Sequence, residues 1–193
     1  MNGTRMIAIA GLLTLQGCAA ASIAGAAIEI AGMRKPPELP DAQRQPRNVS
    51  IRLHTGPNLN AGSSNQSLAL ATRIYKLRQS ATFQRMSFDD FLNSQVEREL
   101  LGTDLLEVKE VMLIPGQRYE INEKVARETY FIGVVALFRV PAANRWRVAF
   151  AASDAEKSGI TLGLHACAIS VGNGAAMIAA SDHGASLATL HCQ

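Results

Sequence analysis

The chain is poor in aromatic residues, which make up 5% of its 193 positions and include a single tryptophan. A base-stacking platform needs several aromatics beside a basic stripe, and a net charge of only +3 supplies no such stripe, which argues against nucleic acid as a partner. Beyond the N-terminus, the longest apolar run, Tyr130 to Leu137, is strand-sized and far short of the about 20 residues of a membrane-spanning helix. Catalytic signatures are missing as well. Gly184-Ala185-Ser186-Leu187-Ala188 lacks the last glycine of a nucleophile elbow, and Ser153-Asp154-Ala155-Glu156-Lys157 has the wrong spacing for a Ser-x-x-Lys nucleophile. Gly172-Asn173-Gly174 lacks the further glycine, helix and lysine of a phosphate loop. These absences predict a protein that is not an enzyme and carries no cofactor.

What is present starts at Met1. MNGTRMIAIAGLLTLQGC sets Arg5 before a short apolar core, Met6 to Leu15, and closes it with Leu15-Gln16-Gly17-Cys18. The core has the length of a secretory h-region, and the closing four residues look like a bacterial lipobox, in which cleavage precedes the cysteine, its thiol takes a diacylglycerol and the new amine takes a third acyl chain. Residues 1–17 therefore read as a signal peptide and Cys18 as the lipidated first residue of the mature chain. With each buried methylene contributing about 0.8 kcal/mol, three acyl chains make an anchor that does not come off. Ala19 in place of an aspartate after that cysteine implies export to the outer membrane, facing the periplasm.

Residues 18–47 read as a tether. Ala19 to Met33 is small and apolar, whereas Arg34 to Arg47 carries Pro36, Pro37, Pro40 and Pro46 and is expected to be extended and solvated.

A domain is expected over 48–193. Val49, Ile51, Leu53 and Thr55 alternate with polar residues as in a half-buried strand, and Leu68, Leu70, Thr72 and Ile74 form one face of a second. Between them lies a polar connection longer than a hairpin requires, and such loops are often functional. Ser87 as N-cap and Phe88, Phe91, Leu92, Val96 and Leu100 at helical spacing predict a helical insertion over about 87–101, broken near Asn93-Ser94, with its carboxylates on a solvated face. Leu105 to Ile114 reads as a strand closed by Pro115-Gly116, followed by a short strand from Arg118 to Asn122. Tyr130 to Phe138, apolar at both parities, reads as a central strand paired through Pro141 to Asn144 with Trp146 to Phe150. Gly172-Asn173-Gly174 suggests a further hairpin. Many short strands without a βαβ rhythm predict a mainly β protein, a β-sandwich with a small helical insertion.

The ordered set Leu59-Asn60, Leu70-Ala71-Thr72-Arg73-Ile74-Tyr75-Lys76-Leu77, Phe83, Phe88-Asp89-Asp90-Phe91-Leu92, Pro115-Gly116, Tyr130 to Arg139 and Trp146-Arg147 resembles the TssJ family, the outer-membrane lipoproteins of the type VI secretion system. That resemblance implies a transthyretin-like β-sandwich in the periplasm. It also implies docking to the C-terminal periplasmic region of the inner-membrane protein TssM, with TssL in the same membrane complex. The contact loop of the family maps to Asn58, Leu59, Asn60, Ala61, Gly62, Ser63, Ser64, Asn65, Gln66 and Ser67. This loop departs from the family's usual Gly-Arg pair and proline, and its amides predict binding through hydrogen bonds and shape with weak salt dependence. The alternative reading is a transthyretin-like periplasmic binding or envelope-assembly lipoprotein of another system.

With Cys18 lipidated, Cys167 and Cys192 remain as an even pair in an oxidising compartment, where a disulfide is the default. His165 and His191 beside them, with His183 nearby, leave a metal site as the competing reading, although neither spacing is that of a zinc knuckle.

Overall fold

The computed structural model describes residues 39–62, 66–178 and 192. The chain divides into two units, Met1–Pro40 and Asp41–Gln193, and the fold described is the second. It begins earlier than the expected start at Asn48, because the segment ahead of the first strand is strapped down. Tyr130 donates its hydroxyl hydrogen to Asp41 at 2.6 Å, Arg127 Nε donates to the Gln45 carbonyl at 2.8 Å, and Arg47 Nη1 donates to the carbonyls of Arg127 and Thr129. The expected signal peptide, Cys18 and most of the expected tether lie outside the described residues.

The strands are β1 (Arg47–Thr55), β2 (Leu70–Leu77), β3 (Leu105–Leu113), β4 (Arg118–Val125), β5 (Phe131–Ala136), β6 (Arg147–Ala151), β7 (Ile160–Leu164) and β8 (Ile169–Val171). They form two four-stranded sheets, β4-β1-β7-β8 and β3-β2-β5-β6. Alternation decides which side chains go inward: Val49, Ile51 and Leu53 of β1 and Ile160, Leu162 and Leu164 of β7 join Ile74, Ile132, Val134, Val148 and Phe150 of the other sheet in one core. β5 sits between β2 and β6 and is buried on both faces, as its apolar run requires. Because β3 and β4 belong to different sheets, their hairpin wraps over the end of the sandwich. The open side between them is closed by ion pairs: Glu123 meets Lys109 at 2.7 Å and Lys76 at 3.2 Å. Burial alone would push the Glu123 carboxyl up, but hydrogen bonds from Lys109 and Lys76 together outweigh it and hold the pKa below its ordinary value.

The outer face of the second sheet carries the helical insertion, which starts before the expected Ser87: α1 (Ala81–Arg85), a 3-10 turn (Asp89–Phe91) and α2 (Ser94–Leu101). Ser87 and Asp90 cap the turn reciprocally, and the break near Asn93 is present because the Asn93 side chain accepts from the Gln95 and Val96 amides and restarts the helix. That cap sets a different buried face from the one the apolar spacing predicts. Leu92 and Leu100 are exposed, whereas Glu97 and Leu101, one turn apart, are buried. A helix absent from the sequence-based expectation, α3 (Ala152–Ser158), links the two sheets between β6 and β7.

Among the described residues no hairpin forms at Gly172-Asn173-Gly174, where one was expected. The chain reverses earlier, at residues 165–168 between β7 and β8. Gly174 instead serves a close approach: at φ 147 it lies where a Cβ would come within 2.7 Å of the Gly159 carbonyl oxygen.

Candidate functional site

Three segments meet at the end of the sandwich where β1 runs out. The first is the loop after β1, residues 56–69, of which Ser63, Ser64 and Asn65 lie outside the described residues. The second is the β7–β8 turn at 165–168, and the third is the β5–β6 connection at 137–146. The loop is laid along the turn by a run of backbone hydrogen bonds: Gly56 N–H to Leu164 O at 2.8 Å, Asn60 N–H to His165 O at 3.0 Å and Gly62 N–H to Ala166 O at 3.1 Å.

Asn60 is the fastening. It sits at φ 51, a left-handed conformation that asparagine tolerates. Its side chain is buried and used at both ends, with Nδ2 donating to the Ala69 carbonyl at 2.9 Å and Oδ1 accepting the Arg139 amide at 2.7 Å. Leu59 and Ala61 on either side are buried as well. The sequence-predicted contact residues therefore separate into two groups. Leu59, Asn60 and Ala61 build the loop, while Pro57, Asn58 and Gln66 are exposed on it, with Ser67 half-buried and donating to the Pro57 carbonyl at 2.7 Å.

Cys167 and Cys192 are joined as a disulfide, with Cα atoms 5.7 Å apart, against Ala142 and Ala168. The Cys167 carbonyl accepts the Ala142 amide at 2.9 Å, so the disulfide, the turn and the β5–β6 connection form one block under the loop. His165 Nε2 lies 2.9 Å from the Ser170 hydroxyl, and burial lowers the pKa of its ring. Among the described residues no group of three or more His, Cys, Asp or Glu is placed to hold a metal ion; His183 and His191 lie outside them.

Sequence reasoning missed a polar cluster on the other face. Arg73 reaches Glu97 at 2.6 Å, Glu110 at 2.7 Å and the Phe91 carbonyl at 2.8 Å, and so ties α2 to β2 and β3. Glu97, expected on a solvated face, is only 3% exposed because this arginine neutralises it. Tyr75 lies beside the pair; burial, then the neighbouring Glu97 carboxylate, pushes its hydroxyl well above its ordinary pKa. A half-open groove of about 330 Å³ runs above the cluster between α2 and β3. The sequence signal was an arginine, Arg73, on the face of an apolar strand that a helix covers.

Comparison with known proteins places this arrangement. The family model described as "Type VI secretion lipoprotein, VasD, EvfM, TssJ, VC_A0113" matches residues 47–167. No curated protein matches the sequence significantly. Among solved structures, the T6SS lipoprotein TssJ1 from Pseudomonas aeruginosa is similar at 28% identity and a TM-score of 0.59, over 68% of this chain and 98% of that one. A chain of a structure named "Type VI membrane complex" is similar at 20% identity and a TM-score of 0.59, over 66% of this chain and 98% of that one. A chain of the structure named "T6SS protein TssM C-terminal domain (869-1107) from EAEC" is similar at 19% identity and a TM-score of 0.51, over 69% and 99%. The last two likenesses concern the fold alone.

Proposed function

The chain belongs to the TssJ family of type VI secretion lipoproteins, and from that premise we propose that it anchors the secretion membrane complex to the outer membrane. A lipid on Cys18 holds it there, and the loop end of its sandwich docks the periplasmic C-terminal region of TssM, with TssL in the same assembly. The sandwich itself performs no catalysis in this reading. Chains of the same fold occur in structures named for a type VI membrane complex and for the TssM C-terminal domain, which supports TssM as the partner.

The observation that carries the reading is the placement of the loop. The chain enters the domain at one end of β1, where Arg47 is clamped, and leaves β1 for the loop at the other end, after Thr55. Nine residues of strand span roughly 30 Å, so the loop lies at the opposite end of β1 from Arg47. The loop is also pre-organised by the block beneath it, which lowers the ordering entropy lost on docking.

The test is calorimetry of the full chain in lipid nanodiscs against the periplasmic C-terminal region of TssM. Asn58→Arg combined with Gln66→Arg alters only exposed positions and is expected to weaken binding by about tenfold or more, roughly 1.4 kcal/mol, without lowering the melting temperature. Unchanged affinity would move the interface off the loop, and an intact chain that fails to bind would remove the docking function.

A further inference from the structure

The amide loop is half of a larger surface. Thr55 Oγ1 donates to the Ile114 carbonyl at 2.7 Å, the Thr55 amide donates to the Gln117 carbonyl at 2.9 Å, and the Gly116 amide reaches the Gly56 carbonyl at 3.3 Å. The tip of the β3–β4 hairpin is thus bonded to the first half of the loop. The second half borders it too. Leu70 lies opposite Leu113 and Ala71 opposite Met112, which puts the exposed Ala69, one residue before β2, level with Ile114.

That tip is apolar and wet. Met112 is 60% and Ile114 58% exposed, and Pro115 and Gly116 beyond them are exposed as well. Val108, Glu110 and Met112 share the outward face of β3, and Ile114 continues it. The one carboxylate on this face, Glu110, is held by Arg73 at 2.7 Å, so the strip presents no unpaired charge. A large apolar side chain exposed singly is ordinary, but two on one strand end, joined by hydrogen bonds to a polar recognition loop, have the composition of an interface centre with a polar rim.

We propose that Met112 and Ile114 are the hydrophobic anchors of the docking surface, seated in an apolar pocket of the same periplasmic partner region that the loop engages. This rests on the docking function proposed above. The occupant follows from position: the tip is continuous with the loop proposed to engage the partner and lies at the opposite end of β1 from Arg47. Pairing with β3 of a second copy is disfavoured by Lys109, an inward-pointing charge on this edge strand that is committed to Glu123. Contact is therefore through the side-chain face, and the loop amides set orientation while the tip supplies the apolar burial.

The experiment compares Met112→Ser/Ile114→Ser with the parent chain, both in nanodiscs, by calorimetry at several temperatures against the TssM periplasmic C-terminal region. The serine variant is expected to bind about thirtyfold more weakly. Its binding heat capacity change should be less negative. Met112→Leu/Ile114→Leu should keep the parent affinity, and all three chains should melt alike. Serine-variant affinity within about twofold of the parent, while Asn58→Arg/Gln66→Arg still weakens binding, would overturn the anchor assignment and leave loop docking standing. Loss of self-association in the serine variant with unchanged partner affinity would assign the tip to a second copy and overturn it as well. Absence of binding by the parent would overturn both.

Discussion

Gly133 in the middle of β5 is a demanding position. It lies opposite Tyr75 of β2 and opposite Ala149 of β6, on the face that the helical insertion covers. A Cβ there would stand 2.5 Å from Phe83 Cζ and 2.9 Å from both Cε atoms, where an ordinary carbon contact is about 3.5–4.0 Å. The ring of Phe83 would have to retreat by roughly 1 Å. It has nowhere to go, being fully buried with ring centroids 5.3 Å from Tyr75 and 5.5 Å from Phe91. Overpacking of this size costs about 1–3 kcal/mol, offset by less than about 1 kcal/mol from the reduced chain entropy of alanine in a strand. Gly133→Ala is therefore expected to destabilise by about 1–2 kcal/mol and to lower the melting temperature by roughly 3–8 °C. Denaturant unfolding measures this, and the lone Trp146, whose ring is 5.5 Å from Phe91 and 5.1 Å from Phe88, gives the local readout as a shifted emission in the folded state. Adding Phe83→Leu should cost less in the Gly133→Ala background than in the parent, since the two changes relieve one clash. A Gly133→Ala chain as stable as the parent, with unchanged Trp146 emission, would refute the reasoning.

The disulfide predicts that the unreduced chain shows no titratable thiol at Cys167 or Cys192. Cys167→Ser/Cys192→Ser, which opens a sequence separation of 25, should lower stability by about 3.5 kcal/mol in the chain-entropy model, and two free thiols by mass would contradict both statements. Asn60→Ala orphans the Arg139 amide and the Ala69 carbonyl and strains φ 51, an expected loss of about 2–4 kcal/mol on denaturant unfolding, and Asn60→Gly should lose less because it orphans the same two groups but adopts φ 51 without strain. Glu123, with its pKa held below the ordinary carboxylate value of 4.5, favours the fold fully above that value and loses its contribution as pH falls through the lowered one. Glu123→Gln should thus flatten the acid limb of a stability-against-pH curve below about pH 4.5, and an unchanged limb would show that the ion pairs with Lys76 and Lys109 do not matter there.

Strands were legible in this sequence where one face is wet, as in β1, because burial there repeats with the period of the pleat, or where both are dry, as in β5, because the apolar run has a strand's length. The insertion was legible as helical but not in its phase. Leu92, Val96 and Leu100 invited an apolar face, whereas the face actually buried is set by the Asn93 cap and by Arg73, a residue more than one strand away in sequence that pairs with the buried Glu97. Gly172-Asn173-Gly174 carried a turn signal without information on whether its glycines reverse the chain or let it pass close to Gly159. The candidate site failed in the same way. Its loop was found by length and polarity, yet the two residues between its exposed ends that matter most for shape, Leu59 and Asn60, are buried by partners at His165, Ala69 and Arg139 that no local pattern names. Met112 and Ile114 read as ordinary strand residues because alternation cannot say which end of an edge strand's outer face is left uncovered. Local periodicity fixes which residues turn together, and only the long-range pairing decides whether what they turn toward is core, water or a partner.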